Sequence, residues 1–122
     1  MMQRVGNNGV ASPDFRIENA YPASLKDWEG ERTLEFSTEM TTLFHGVHVF
    51  DYPSVREWLP PFAHETLPDA HKRLVLVRVT AALRVLGLKA LWIATSPSHE
   101  RDDWEEIMVD VEALLNDNRP TI

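Results

Sequence analysis

Residues 73–97 read RLVLVRVTAALRVLGLKALWIATSP, the longest largely apolar stretch of the chain, and its reading decides the fold. A single helix here advances about 100° per residue and spreads Arg78, Arg84 and Lys89 over different faces, leaving no polar side. It also lines up the β-branched residues Val75, Val77, Val79 and Thr80 and encloses Gly87. A strand, a short helix and a second strand meets each objection. Residues 74–79 then form a buried strand of the kind found in parallel sheets. Thr80 caps a helix over 81–86, Gly87 stops it, and 91–95 is the next strand. The sequence predicts strand, helix, strand.

Outward from this stretch, Ser96 caps a final helix with Pro97 at its first position. Asp102, Asp103, Glu105 and Glu106 lie near its positive end. Trp104, Ile107, Met108, Val111, Leu114 and Leu115 recur at helical spacing and give it one apolar stripe. Upstream, LFHGVHVF (43–50) reads as a strand that ends at a turn of Asp51, Tyr52 and Pro53. Ser54 and Glu57 have the spacing of a capping box, so a helix begins there with Val55, Trp58 and Leu59 inward. Pro60-Pro61 interrupts it, and 62–71 resumes as a second short helix. Residues 31–40 alternate loosely like a half-buried strand, while Leu34, Met40, Leu43 and Phe44 also fit a helix; both remain open. Residues 15–21 form a short edge strand ended by Pro22, and Ser24 with Asp27 marks a helix start before Gly30. Residues 1–14 read as a flexible N-terminal arm.

The expected architecture is a small single-domain α/β protein over 15–122. Its sheet is mixed or mainly parallel, with four or five strands, flanking helices and an acidic C-terminal helix.

The chain of 122 residues is 43% hydrophobic and 25% charged, ordinary globular values that exclude wholesale disorder. The absence of cysteine excludes a disulfide scaffold, a thiolate metal site and a cysteine nucleophile. No uninterrupted apolar run is long enough for a membrane helix, and the N-terminal residues lack the apolar core of a secretory signal. A cytoplasmic location is expected. A net charge of −7 argues against nucleic-acid binding. The window 98–118 holds eight acidic residues and one basic, so it alone carries −7 and the rest balances. From Lys72 to Lys89 there are five basic residues and no acidic one.

The segment GVHVFDYPSVREWL, followed by RLVLVRVTAALRVLGLKALWIATSP, resembles STAS domains, the anti-sigma-factor-antagonist fold. Members show G-V-x-F-I-D-S-S-G-L before a helix, then a strand like R-L-V-L-V-N-V. Gly46, Val47, Val49, Phe50, Asp51 and Val55 match the first part. Leu74, Val75, Leu76, Val77, Val79, Leu83, Val85, Leu86, Gly87, Leu88 and Leu91 match the second. The resemblance covers about residues 43–96 and implies protein binding rather than catalysis. Pro53 stands where phospho-switch members carry serine, and Ser54 where they carry glycine. The resemblance therefore does not extend to serine phospho-switching.

Asp51 at the C-terminal end of a strand occupies the place where open parallel sheets gather ligands; a turn aspartate bonding nearby amides is the structural alternative. His45 and His48 are three apart and point to opposite faces of a strand. His64 and His71, seven apart, lie about 10 Å apart along a helix. No metal site or cofactor is expected. Ser96, Ser98, His99, Asp102 and Asp103 hold the letters of a hydrolytic triad, but their crowding fits capping, because triads assemble from distant elements. No phosphate loop or nucleophile elbow is present. No catalytic residue is assigned.

The leading expectation is a non-catalytic protein-interaction or regulatory module, a STAS-like regulator or an acidic inhibitor or immunity-type protein. Its partner-binding residues are Asp51, Tyr52, Ser54, Trp58 and Phe62, joined by Asp102 and Glu105 of the acidic helix. A Pro-stiffened WLPPF loop (58–62) presents apolar surface at low entropy cost. The partner is another protein, basic if the acidic helix is the surface, with homodimerisation a competing use of the loop. The alternative is a small enzyme or ligand-binding protein with a pocket around Asp51, His45, His48 and Tyr52.

Overall fold

The computed structural model describes residues 2–20, 24–41, 46–51, 57–96 and 100–117. Seven strands form one sheet in chain order: β1 (Gln3–Val5), β2 (Gly9–Ala11), β3 (Arg16–Ala20), β4 (Ser24–Glu29), β5 (Arg32–Thr41), β6 (Gly46–Asp51) and β7 (Lys89–Ala94). Helix α1 (Asp69–Val85) lies between β6 and β7, and α2 (Trp104–Asp117) follows β7. The first five pairings are antiparallel and only β6–β7 is parallel. This overturns the expected mixed or mainly parallel sheet of four or five strands: the sheet is mixed but mostly antiparallel, with seven strands among the described residues.

Two local readings explain the difference. The first is at 24–32, where a helix start was expected. Leu25, Asp27 and Glu29 alternate with Lys26 and Trp28, and a two-residue loop of Gly30 and Glu31 closes the β4–β5 hairpin at the pair Glu29↔Arg32. Gly30 sits at φ +64, the left-handed conformation such loops require and glycine tolerates. Residues 1–14, expected as a flexible arm, supply β1 and β2, with Val10 wholly buried.

The second is the Val-rich stretch. Residues 74–79 are the middle of α1, and the separate strand and short helix expected there are one helix. The objections to a helix each have an answer. β-branched residues cost a helix no more than about 0.7 kcal/mol each, whereas burying a Val or Leu side chain returns about 1.5–3 kcal/mol. Val75, Leu76, Val79 and Leu83 are all fully buried. The helix is also covered on two sides, by the sheet and by α2, so its apolar arc is wide. The arginines reach partners instead of clustering: Arg78 stacks over Phe15 at 4.6 Å, and Arg84 pairs with Glu112 of α2. Gly87, at φ +80, does end the helix. Gly87 N–H bonds the Arg84 carbonyl and Leu88 N–H bonds the Leu83 carbonyl, a Schellman-type closure. Lys89 therefore belongs to β7.

Around this helix, residues 57–67 are irregular, tied by a Glu57↔Thr66 bridge and by Leu59 N–H donating to the Thr33 carbonyl; the helix expected over 62–71 begins only at Asp69. Ser54 and Val55 of the expected capping-box helix lie outside the described residues. The final helix opens at Trp104, not at Ser96.

The core fills the space between one sheet face and the helices. Leu25, Leu34, Phe36, Val47 and Val49 of the sheet meet Val75, Leu76, Val79 and Leu83 of α1. Trp92 packs edge-on to Phe36 and stacks on Trp104 with centroids 6.0 Å apart. Its indole N–H donates to the Thr80 hydroxyl, which donates in turn to the Leu76 carbonyl. No described helix is long and apolar enough to cross a membrane.

Candidate functional site

β4 and β6 both run antiparallel to β5, and β7 runs parallel to β6, so all three end on one rim of the sheet. The crossover through α1 returns that helix's N-terminus to the same rim, as open sheets with crossovers do. The first turns of α1 carry His71, Lys72 and Arg73 in succession. Basic side chains near the positive end of a helix are unfavourable alone, and each of these three reaches an acid on a different element.

Lys72 Nζ donates to Asp51 Oδ1 at 2.6 Å, with the two side chains 3% and 6% exposed. The Thr95 hydroxyl donates to the Asp51 carbonyl at 2.7 Å. His71 Nε2 lies 2.9 Å from both carboxylate oxygens of Glu29, and the His71 ring packs against Trp58 with centroids 5.7 Å apart. Arg73 contacts Asp103 at 3.5 Å and Asp110 at 2.5 Å. Beside Asp51 a cavity of about 300 Å³ is bounded by Trp92, Ala94, Glu100, Arg101 and Trp104. Arg101 does not project freely into it. Its guanidinium bonds Asp103 at 2.9 and 3.0 Å and Asp69 at 3.1 Å. These bonds keep the arginine firmly charged and hold the Asp103 carboxyl below its usual range.

Asp27 of β4, read in the sequence as a helix-start residue, is wholly buried on the helix-facing side. No donor reaches either of its carboxylate oxygens, and burial, followed by the neighbouring Glu29 charge, pushes its pKa from 3.8 to about 8. The Glu29 carboxylate lies within hydrogen-bonding range, and two carboxyls can bond only when one supplies the proton. Asp27 is therefore the protonated member of the pair, with Glu29 as its neighbour. The Glu29 carboxylate is contacted by His71 at 2.9 Å and by Arg78 at 3.4 Å.

The residues expected to form the partner site are not brought together. Trp58 is buried at 8% exposure, and Phe62 is half-buried with the Arg32 guanidinium 4.5 Å above its ring. Asp102 and Glu105 are exposed at and before the start of α2. Tyr52 and Ser54 lie outside the described residues. His48 sits on β6 at odd spacing from Asp51 and so faces the opposite side of the sheet; His45 lies outside the described residues. Among the described residues, no group of three histidine and acidic side chains is placed to hold a metal ion.

Two surfaces are more open than this rim. On α2, Val109 is 67% exposed among exposed Glu105, Glu106, Glu112 and Ala113. Beside β7, a groove of about 800 Å³ runs between strand and helices, lined by Leu88, Ala90, Trp92, Trp104 and Met108, with Arg84 and Lys89 also on its wall. No protein-family model, no curated protein and no solved structure matches this chain.

Proposed function

We propose that the protein is a non-catalytic interaction module that docks a basic protein partner against the outer face of α2. The observation that carries this reading is Val109, 67% exposed, with exposed Glu105, Glu106 and Glu112 around it and Ala113 beside it. An apolar centre inside a charged rim is the anatomy of a protein interface. A rim of one sign also speeds encounter with a basic partner and excludes acidic ones. The ionic groups at the rim of the sheet support the same reading from the other side. Among the described residues there, Asp51 is engaged by Lys72, Asp103 by Arg101, and Glu29 by His71. With Trp58 buried, docking centres on α2, with Asp102 and Glu105 in the rim.

The test is affinity capture followed by reconstitution with the purified captured protein. Wild type is compared with Val109→Asp, with Glu105→Lys/Glu106→Lys, and with Glu35→Lys on the open sheet face as control. The two α2 variants are expected to lose binding, and wild-type affinity to fall with salt. Equal binding by all four would refute the reading.

A further inference from the structure

We infer that the outer edge of β7 is a self-association surface, on which a second copy of this chain adds its own β7 antiparallel to the first about a two-fold axis. Among the described residues no strand pairs with β7 on its outer side, so a six-residue strand presents unpaired backbone groups there. Edge strands are ordinarily blunted by shortness, proline, bulges or charge. The opposite edge follows that rule: β1 has three residues, all exposed. β7 does not. It has no proline, pairs with β6 residue for residue without a bulge, and carries one charge, Lys89, at its start.

Both sides of this edge are apolar. The groove of about 800 Å³ flanks it on the helix side, where Met108 is 40% exposed. On the open face, half-buried Ile93 lies beside Phe50 and half-buried Leu91 beside His48.

Charge and size identify a second copy as the occupant. β7 begins at exposed Lys89 and ends beside exposed Glu100, which shares a cavity wall with Ala94. The one arginine at that end, Arg101, is engaged by Asp69 and Asp103. The strand is thus positive at its start and negative at its end, and an antiparallel copy sets each Lys89 toward the other's Glu100. A two-fold axis makes such a surface complementary to itself. With Leu91 on the axis, each Trp92 faces the partner's Ala90, large against small, and the helices of both copies stay on one face. A slip of one residue would break that arrangement.

The experiment reads assembly by sedimentation equilibrium from about 1 μM to about 500 μM, a range that spans moderate dimer affinities. Wild type should show a monomer–dimer equilibrium. Lys89→Glu and Glu100→Lys, both at exposed positions, should each weaken the dimer about tenfold or more, and the double reversal should restore it. Because the chain has no cysteine, Leu91→Cys should cross-link to itself on mild oxidation, whereas Val5→Cys on β1 should not. A monomer at every concentration, no rescue by the double reversal, or equal cross-linking at positions 91 and 5 would each overturn the inference. These readouts need no third protein, so they stand or fall apart from docking on α2.

Discussion

Asp27 on β4 and Asp51 on β6 lie on strands that run the same way, face the same helix, and are 0% and 4% exposed. Asp51 is met by a cation, Lys72, which comes down from α1 to 2.6 Å from it. Asp27 has no cation of its own; its neighbour is another acid, and it keeps a proton instead. Burial on one face of one sheet thus accompanies a close acid–lysine pair in one place and a proton-holding acid two strands away. The neighbour decides which, since desolvation acts on both.

The largest expected effect tests the Asp51 side. Lys72→Met leaves a buried carboxylate unpaired and should cost about 3–5 kcal/mol in denaturant unfolding at neutral pH. Adding Asp51→Leu should recover most of that loss. A Lys72→Met variant as stable as wild type would mean that the pair is not desolvated.

Next is the pH dependence of Asp27. Folded, it holds its proton up to about pH 8, against an ordinary value of 3.8. Between those values the folded state binds more protons than the unfolded one. The stability this group contributes is therefore complete below the lower value, falls as pH rises, and is gone above the upper. Between pH 5 and pH 7, wild type should lose about 1.4 kcal/mol per pH unit relative to Asp27→Asn, which has no proton to lose. Parallel curves would show Asp27 ionised in the fold.

A smaller effect separates the causes. Glu29→Gln removes the neighbouring charge but leaves burial, the larger cause, in place. The Asp27 carboxyl resonance should then titrate below its wild-type position but still well above 3.8. A return to the ordinary value would make Glu29 the main cause. The smallest effect marks the surface limit: Arg84 and Glu112 are 41% and 50% exposed, and Arg84→Gln should leave unfolding unchanged within error.

The contrast between the two aspartates also shows what the sequence could disclose. Asp51 was legible as the last residue of a β-rich run, and its place at a strand end is where the structure puts it. Its partner was not. Lys72 was assigned to the approach to a strand, because the Val-rich segment after it resembles one; only coverage by both the sheet and α2 makes a helix there favourable. The available signal was Pro68-Asp69, a helix opening, followed after Ala70 by His71, Lys72 and Arg73, basic residues that need acids brought from elsewhere. The apolar stripe of α2 and the branched, aromatic run of β6 were readable because pattern and burial agree there, whereas the loose alternation of 31–40 left β5 open between strand and helix. Asp27 was not, because an acid on the inner parity of a strand breaks the pattern by which strands are recognised.

The order of the sheet bears on how the chain comes together. From β1 to β6 each strand lies beside its predecessor, so pairing needs only short loops to close and proceeds as the chain lengthens during synthesis. The last pairing differs: β7 can join β6 only after α1, which precedes it in the chain, has been made. A ribosome that stalled before Lys89 would hold out a six-stranded sheet with β6 at its margin, where Val47 and Val49, both at 0% exposure in the finished fold, would still lack β7 alongside them. That interval is when a nascent chain would most need shielding from its neighbours.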